Sequence, residues 1–159
     1  MEVIREDEGK KLAYADILTI GNADTPIFRR KAIEALEGYL CEYGELLPLN
    51  CAGADVMMYN VTNVLDVLDV DRSAFIGGQK REESALSKYK IAAVDSPIFR
   101  EFSLEENDIF RLPEHHRSIV YVTHRFVERW KDTKLKGLKF INTADMTKGW
   151  WMRGNIAKI

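Results

Sequence analysis

Three aspartates have the strongest claim to chemistry in this sequence. Asp66, Asp69 and Asp71 stand close together, and carboxylates so spaced can hold a divalent cation or share a proton. The EF-hand loop does not fit them. Counted from Asp69, Asp71 and Ser73 agree, but Ala74 replaces the glycine that the sharp turn needs and Lys80 replaces the closing glutamate. The simpler reading places the aspartates on the solvated face of a short helix and its exit turn. His115, His116 and His124 are the only histidines. No cysteine pair and no HExxH motif stands near them, so the sequence names no metal and no cofactor.

Other signals are weaker. Gly77-Gly78-Gln79-Lys80 lacks the GxxxxGK[ST] spacing of a phosphate loop and reads as a turn. GxGxxG and GxSxG are absent, and no serine or cysteine stands in a nucleophile motif. Between Arg125 and Lys139, basic residues alternate with Phe126 and Trp130. That mixture suits phosphates and stacked bases. Phe126 and Trp130 are also four residues apart, which is the core stripe of an amphipathic helix, and a pI near 6.0 is low for a nucleic-acid binder. Trp150 and Trp151 are adjacent, so they point to different faces. Either one is an exposed anchor for a partner, or the segment folds back over the core.

The elements that must position these residues mix strands and helices without regular alternation. Residues 16–20 read as a strand and 21–24 as a turn. Thr25 and Pro26 then mark the start of a helix, with apolar residues from Phe28 to Leu40 at helical spacing and Gly44 as its C′ residue. Residues 45–49 form a strand, placed at a sheet edge because Pro48 cannot donate to a ladder. A loop containing Gly53 leads to a strand over 55–61. Thr62 caps a short helix over 62–69, with Val64, Leu65, Val67 and Leu68 as its apolar stripe. Strands follow at 73–76, 91–94, 109–112 (facing alternately in and out) and 118–122. Thr123 caps a helix carrying Phe126, Val127 and Trp130, and a last strand spans 138–141. The fold class expected is α+β, a mostly antiparallel sheet flanked by a few helices in a single domain.

Composition agrees with a globular chain. Its 159 residues suit one domain and bury a sizeable core without metal or disulfide. The apolar fraction is 46% and the charged fraction 30%. The first residues are charged and lack an apolar signal region, and no apolar run is long enough for a membrane helix, so a cytoplasmic protein is expected. In that compartment Cys41 and Cys51 are two thiols, although spacing alone permits a bridge. The net charge of −2 conceals an imbalance. Residues 1–71 hold 14 acidic and 6 basic side chains, whereas residues 72–159 hold 11 and 17. The fold either separates these charges onto opposite faces or mixes them until the fields cancel.

Two segments carry a resemblance. One runs from Met58-Tyr59-Asn60-Val61-Thr62-Asn63 to Asp66 and Asp69. The other takes in Ile109-Phe110-Arg111-Leu112, Ser118-Ile119-Val120-Tyr121-Val122-Thr123, Phe126, and Gly137-Leu138-Lys139-Phe140. Together they resemble family eleven of the immunity proteins of bacterial polymorphic toxin systems, earlier known only as a domain of unknown function. The likeness covers residues 15–141, after a flexible segment 1–14 and before a tail 142–159 that the pattern does not include. It implies a non-enzymatic protein that binds and neutralises a cognate toxin domain, with no cofactor. The expected contacts are Asp66, Asp69 and Asp71, with Trp150 and Trp151 as anchors. The alternatives are a metal-dependent enzyme using the aspartates and His124, or a domain that binds nucleic acid or a small ligand.

Overall fold

The computed structural model describes residues 15–20, 23–51, 53–75, 94–100, 104–113, 119–145 and 156–158. They form an α+β fold with two four-stranded sheets, a two-stranded ribbon and two helices. In the first sheet β1 (Ile17–Ile20), β2 (Ala23–Arg29), β4 (Val56–Val61) and β3 (Gly44–Pro48) lie side by side in that order, all antiparallel. Helix α1 (Arg30–Leu40) packs Ala32, Ile33, Leu36 and Leu40 against one face, where Ile17, Phe28, Tyr59 and Val61 point.

The expected helix start at Thr25 and Pro26 is corrected here: both lie in β2, and α1 begins at Arg30. Phe28 explains the misreading. From a strand it points to the core that α1 covers, so the apolar pattern is the same for either conformation. Pro26 pairs with Thr19 of β1 and lies beyond Ile27, where the pairing of β2 with β4 stops. Gly44 is also corrected, because it opens β3 and does not cap α1. A Cβ there would stand 2.4 Å from the Asn60 carbonyl oxygen and 2.8 Å from the Tyr59 ring. The glycine is needed for the close approach of β3 to β4.

Pro48 sits at the sheet edge, as its missing N–H demands. Leu49 donates to the Val56 carbonyl (3.2 Å), and Thr62 donates to that of Tyr43 (3.1 Å). Antiparallel alternation then turns the backbone groups of Glu45 and Leu47 toward β4 and those of Gly44, Leu46 and Pro48 outward. The absent donor therefore falls on the unpaired side. Cys41 precedes β3 and Cys51 follows it, and both thiols are free and exposed. A five-residue strand lies between them, about 17 Å long, well beyond the reach of a disulfide.

The second sheet has the order β7 (Ile109–Phe110), β8 (Tyr121–Val122), β10 (Ile156–Lys158), β9 (Phe140–Asn142). β7 and β8 are antiparallel, while β10 is parallel to both β8 and β9. Thus β8, α2 (His124–Thr133) and β9 form a right-spaced βαβ unit into whose gap β10 is inserted. The sequence pattern at 109–112 predicts a strand that alternates in and out. Instead Ile109, Phe110, Arg111 and Leu112 are all buried. Alternation persists, but each side meets a core. Ile109, Val120 and Val122 join Phe126, Val127 and Trp130 in the α1 core, while Phe110, Leu112, Ile119 and Tyr121 join Val67, Leu68, Phe75 and Val94 in a second one.

Residues 62–69 form no helix. The segment runs extended between two partners, with bridges Val64–Arg111 and Leu68–Phe99. Leu65 donates to the Arg111 carbonyl (2.9 Å), Arg111 to that of Asn63 (2.9 Å) and Asp69 to that of Ile98 (2.8 Å). Asn63 Nδ2 adds a bond to the Ile109 carbonyl (3.0 Å). Valine, threonine, asparagine and aspartate are poor helix formers, so cross-chain bonds prevail over the 3.6-residue pattern. The short ribbon β5 (Ala74–Phe75) and β6 (Val94–Ser96) continues the same wall. Expected features at residues 76–78, 91–93 and 114–118 lie outside the described residues.

Gly137 closes the first sheet. Its φ is +118°, and a Cβ there would stand 2.3 Å from the Ile17 carbonyl oxygen. Neighbouring Lys136 accepts the backbone N–H of Asp16 (2.8 Å) through its carbonyl and donates its own to Asp16 Oδ2 (2.8 Å). Gly137→Ala therefore adds a clash and a strained φ at the β1 seam. Denaturant unfolding should show a loss of about 2–3 kcal/mol.

Candidate functional site

The acidic segment is solvent-facing where the sequence placed carboxylates. Asp66 and Asp71 are exposed and Asp69 is half-buried. The fold also supplies cations. Asp66 Oδ1 lies 3.7 Å from an Arg100 guanidinium nitrogen, and that guanidinium donates to the Asp66 carbonyl. Asp69 Oδ1 accepts the backbone N–H of Arg72 (3.2 Å), and its Oδ2 lies 3.9 Å from the Arg72 guanidinium. Such exposed pairs contribute little stability. They do offset much of the negative field that the three aspartates would otherwise project. Trp150 and Trp151 lie outside the described residues.

Enzymatic convergence is not seen among these groups. His124 opens α2, is exposed and faces Glu128 across one helical turn (3.4 Å). Among the described residues, no three His, Cys, Asp or Glu side chains meet as a metal-binding group. A cavity of about 730 Å³ opens beside the α2 N-terminus. Pro97, Ile98, Phe99 and Leu104 give it apolar walls, and Arg125 and His124 stand at its rim. Ser96, Glu105, Thr123 and Thr143 add polar groups to an otherwise apolar lining.

The most concentrated polar chemistry is one that the sequence did not signal. Asp108 is 6% exposed, at the start of β7. Its carboxylate accepts hydrogen bonds from the Tyr39 and Thr123 hydroxyls and from Arg125 Nε (2.7 Å). Its carbonyl accepts the Thr123 N–H (3.0 Å). Arg125 also donates to the Leu104 carbonyl (3.1 Å), and the Arg129 guanidinium stands 4.5 Å over the Tyr39 ring. Thr123 does occupy the α2 N-cap position, but its side chain caps nothing in the helix. The hydroxyl is committed to Asp108. This network joins α1, β7 and α2 through residues remote in sequence, so no spacing rule could reveal it.

Burial pushes the Tyr39 hydroxyl well above the ordinary tyrosine range, and its bond to Asp108 pushes the same way. Burial also raises Tyr59, whose hydroxyl donates to the Leu40 carbonyl (2.8 Å). Raised tyrosines stabilise the fold below the unfolded-state pKa of about 10 and cease to do so as pH climbs above it, because the unfolded chain then releases protons that the folded chain keeps. The unfolding midpoint should therefore fall between pH 9 and pH 11, and Tyr59→Phe should flatten that fall. Asp108→Ala strands two hydroxyls and a guanidinium, so thermal or denaturant unfolding should show a loss of about 3 kcal/mol, against about 1 kcal/mol for Tyr39→Phe.

Comparison with known proteins adds one match. The sequence model described as the immunity protein family (Imm11) matches residues 47–145, more than half of the chain. The matched span takes in β4, the acidic segment, β7, β8 and α2. No curated protein and no solved structure matches the chain. The chain belongs to the immunity protein family Imm11.

Proposed function

We propose that this protein binds a cognate toxin domain of a bacterial polymorphic toxin system and neutralises it in the cytoplasm by covering the surface the toxin works with. The observation that carries this reading is the family match over residues 47–145. The inhibition is stoichiometric binding and needs no bond-making step. A stable complex of this kind buries about 1,600 Å² in total, with a few fully desolvated anchors providing most of the affinity. Asp66, Asp69 and Asp71 are the proposed steering contacts, and Trp150 and Trp151 the proposed anchors. Because Arg72 and Arg100 offset the aspartates, the steering is modest.

The test is co-expression with the toxin polypeptide encoded beside this gene. Growth should be restored by the intact chain, and continued growth arrest with folded protein present would defeat the proposal. In a purified complex, changing the three aspartates to asparagine should slow association by about tenfold at low salt and less at high salt.

A further inference from the structure

Between Lys31 and Arg72 the chain contains no Lys, Arg or His and eight Asp or Glu residues. That stretch contains β3, the terminal strand of the first sheet. Among the described residues, no strand pairs with the outer side of β3. Gly44 and Leu46 present both N–H and C=O there, and Pro48 presents its C=O alone. An unpaired strand edge is a template for another strand. Proteins commonly blunt such edges with proline or inward charges. Here Pro48 guards only one end, while Gly44 and Leu46 keep their donors.

The side chains beside this edge decide what fits it. Glu42 and Glu45 are exposed, and neither forms an ion pair among the described residues. Glu45 accepts from Asn60 Nδ2 of β4 (2.7 Å), which ties one of its carboxylate oxygens to the inner neighbour while the side chain stays exposed on the face of β3. A second copy of this chain would bring the same acidic side chains against themselves, and like charges across a strand pair are destabilising. The edge also begins where the acidic segment begins, since Tyr43 accepts the N–H groups of both Thr62 and Asn63 (3.1 Å each) through its carbonyl.

We infer that the outer edge of β3 receives an extended strand of the partner, bearing Lys or Arg beside Glu42 and Glu45, as an added fifth strand of the first sheet. This rests on the toxin-binding reading and specifies its geometry. The partner strand accepts from the N–H groups of Gly44 and Leu46 and donates to the carbonyls of Gly44, Leu46 and Pro48. Backbone bonds supply register, and the glutamates select a basic strand over a neutral or acidic one.

Residue-resolved amide exchange tests this, using the full chain alone and in complex with the toxin polypeptide encoded beside its gene. In the free protein, Gly44 and Leu46 should exchange at least about tenfold faster than Glu45 and Leu47, whose amides face β4. In the complex, Gly44 and Leu46 should slow by about tenfold or more. The double variant Glu42→Lys, Glu45→Lys should weaken binding by about tenfold at low salt while keeping its melting temperature. A complex that protects cells yet leaves Gly44 and Leu46 at their free rates overturns the edge assignment and leaves the toxin reading intact. Protection of both amides that grows with concentration of the chain alone also overturns it, by giving the edge to a second copy. Failure of the intact chain to bind or protect removes the toxin reading, and this inference with it.

Discussion

β7 and β8 are buried on both faces, and the placement of the other elements follows from that. A strand with water on one side can hide half its residues, but a strand between two cores must find apolar neighbours for every side chain. Ile109, Val120 and Val122 do so against the two helices, and Phe110, Leu112, Ile119 and Tyr121 against the wall formed by residues 62–75 and Val94. Residues 62–69 of this wall stay extended because their backbone bonds to Arg111, Ile98 and Arg100, and they cover the second face of the sheet. A helix in its place would withdraw those bonds and open that face to solvent.

Asp108 stands where this two-sided sheet meets the helices. Its position at the start of β7 lets one carboxylate serve hydroxyls from α1 and from the start of α2, together with an arginine of α2. Buried carboxylates are tolerated when every lone pair has a donor, and this one is supplied from three sides. The polar residues that remain at the surface are spread over separate elements. That arrangement suits a protein whose work is done by a face, and the toxin-binding proposal uses two neighbouring parts of such a face, the acidic segment and the β3 edge.

Much of the fold was legible in the sequence. Pro48 marked an edge strand because a missing donor is tolerated only on an unpaired side. The stripe of Phe126, Val127 and Trp130 marked α2, and the β-branched and aromatic run at 118–122 marked a strand. The misreadings share a cause. At Phe28, and again at Val64 to Leu68, apolar residues recur at spacings that a helix and an extended chain against a curved core satisfy equally. Only distant partners, β4 for one and Arg111 and Phe99 for the other, decide between them. Asp108 was illegible for the same reason, since its donors come from residues 39, 123 and 125. The acidic segment was legible as composition, but its neutralising arginines were not, because Arg100 reaches Asp66 only once the chain has folded back.

The insertion of β10 between β8 and β9 sets an order of events during synthesis. The first sheet draws its strands from residues 17–61 and joins them through short connections, so it can assemble while the ribosome is still working. The second sheet cannot. Until residues 156–158 leave the exit tunnel, the strand that joins β8 to β9 is missing, and the backbone groups that each turns toward it lack their partners in the sheet. A nascent chain that has not yet reached residues 156–158 thus carries a half-built sheet with two open strand edges, the kind of surface that templates pairing with another strand.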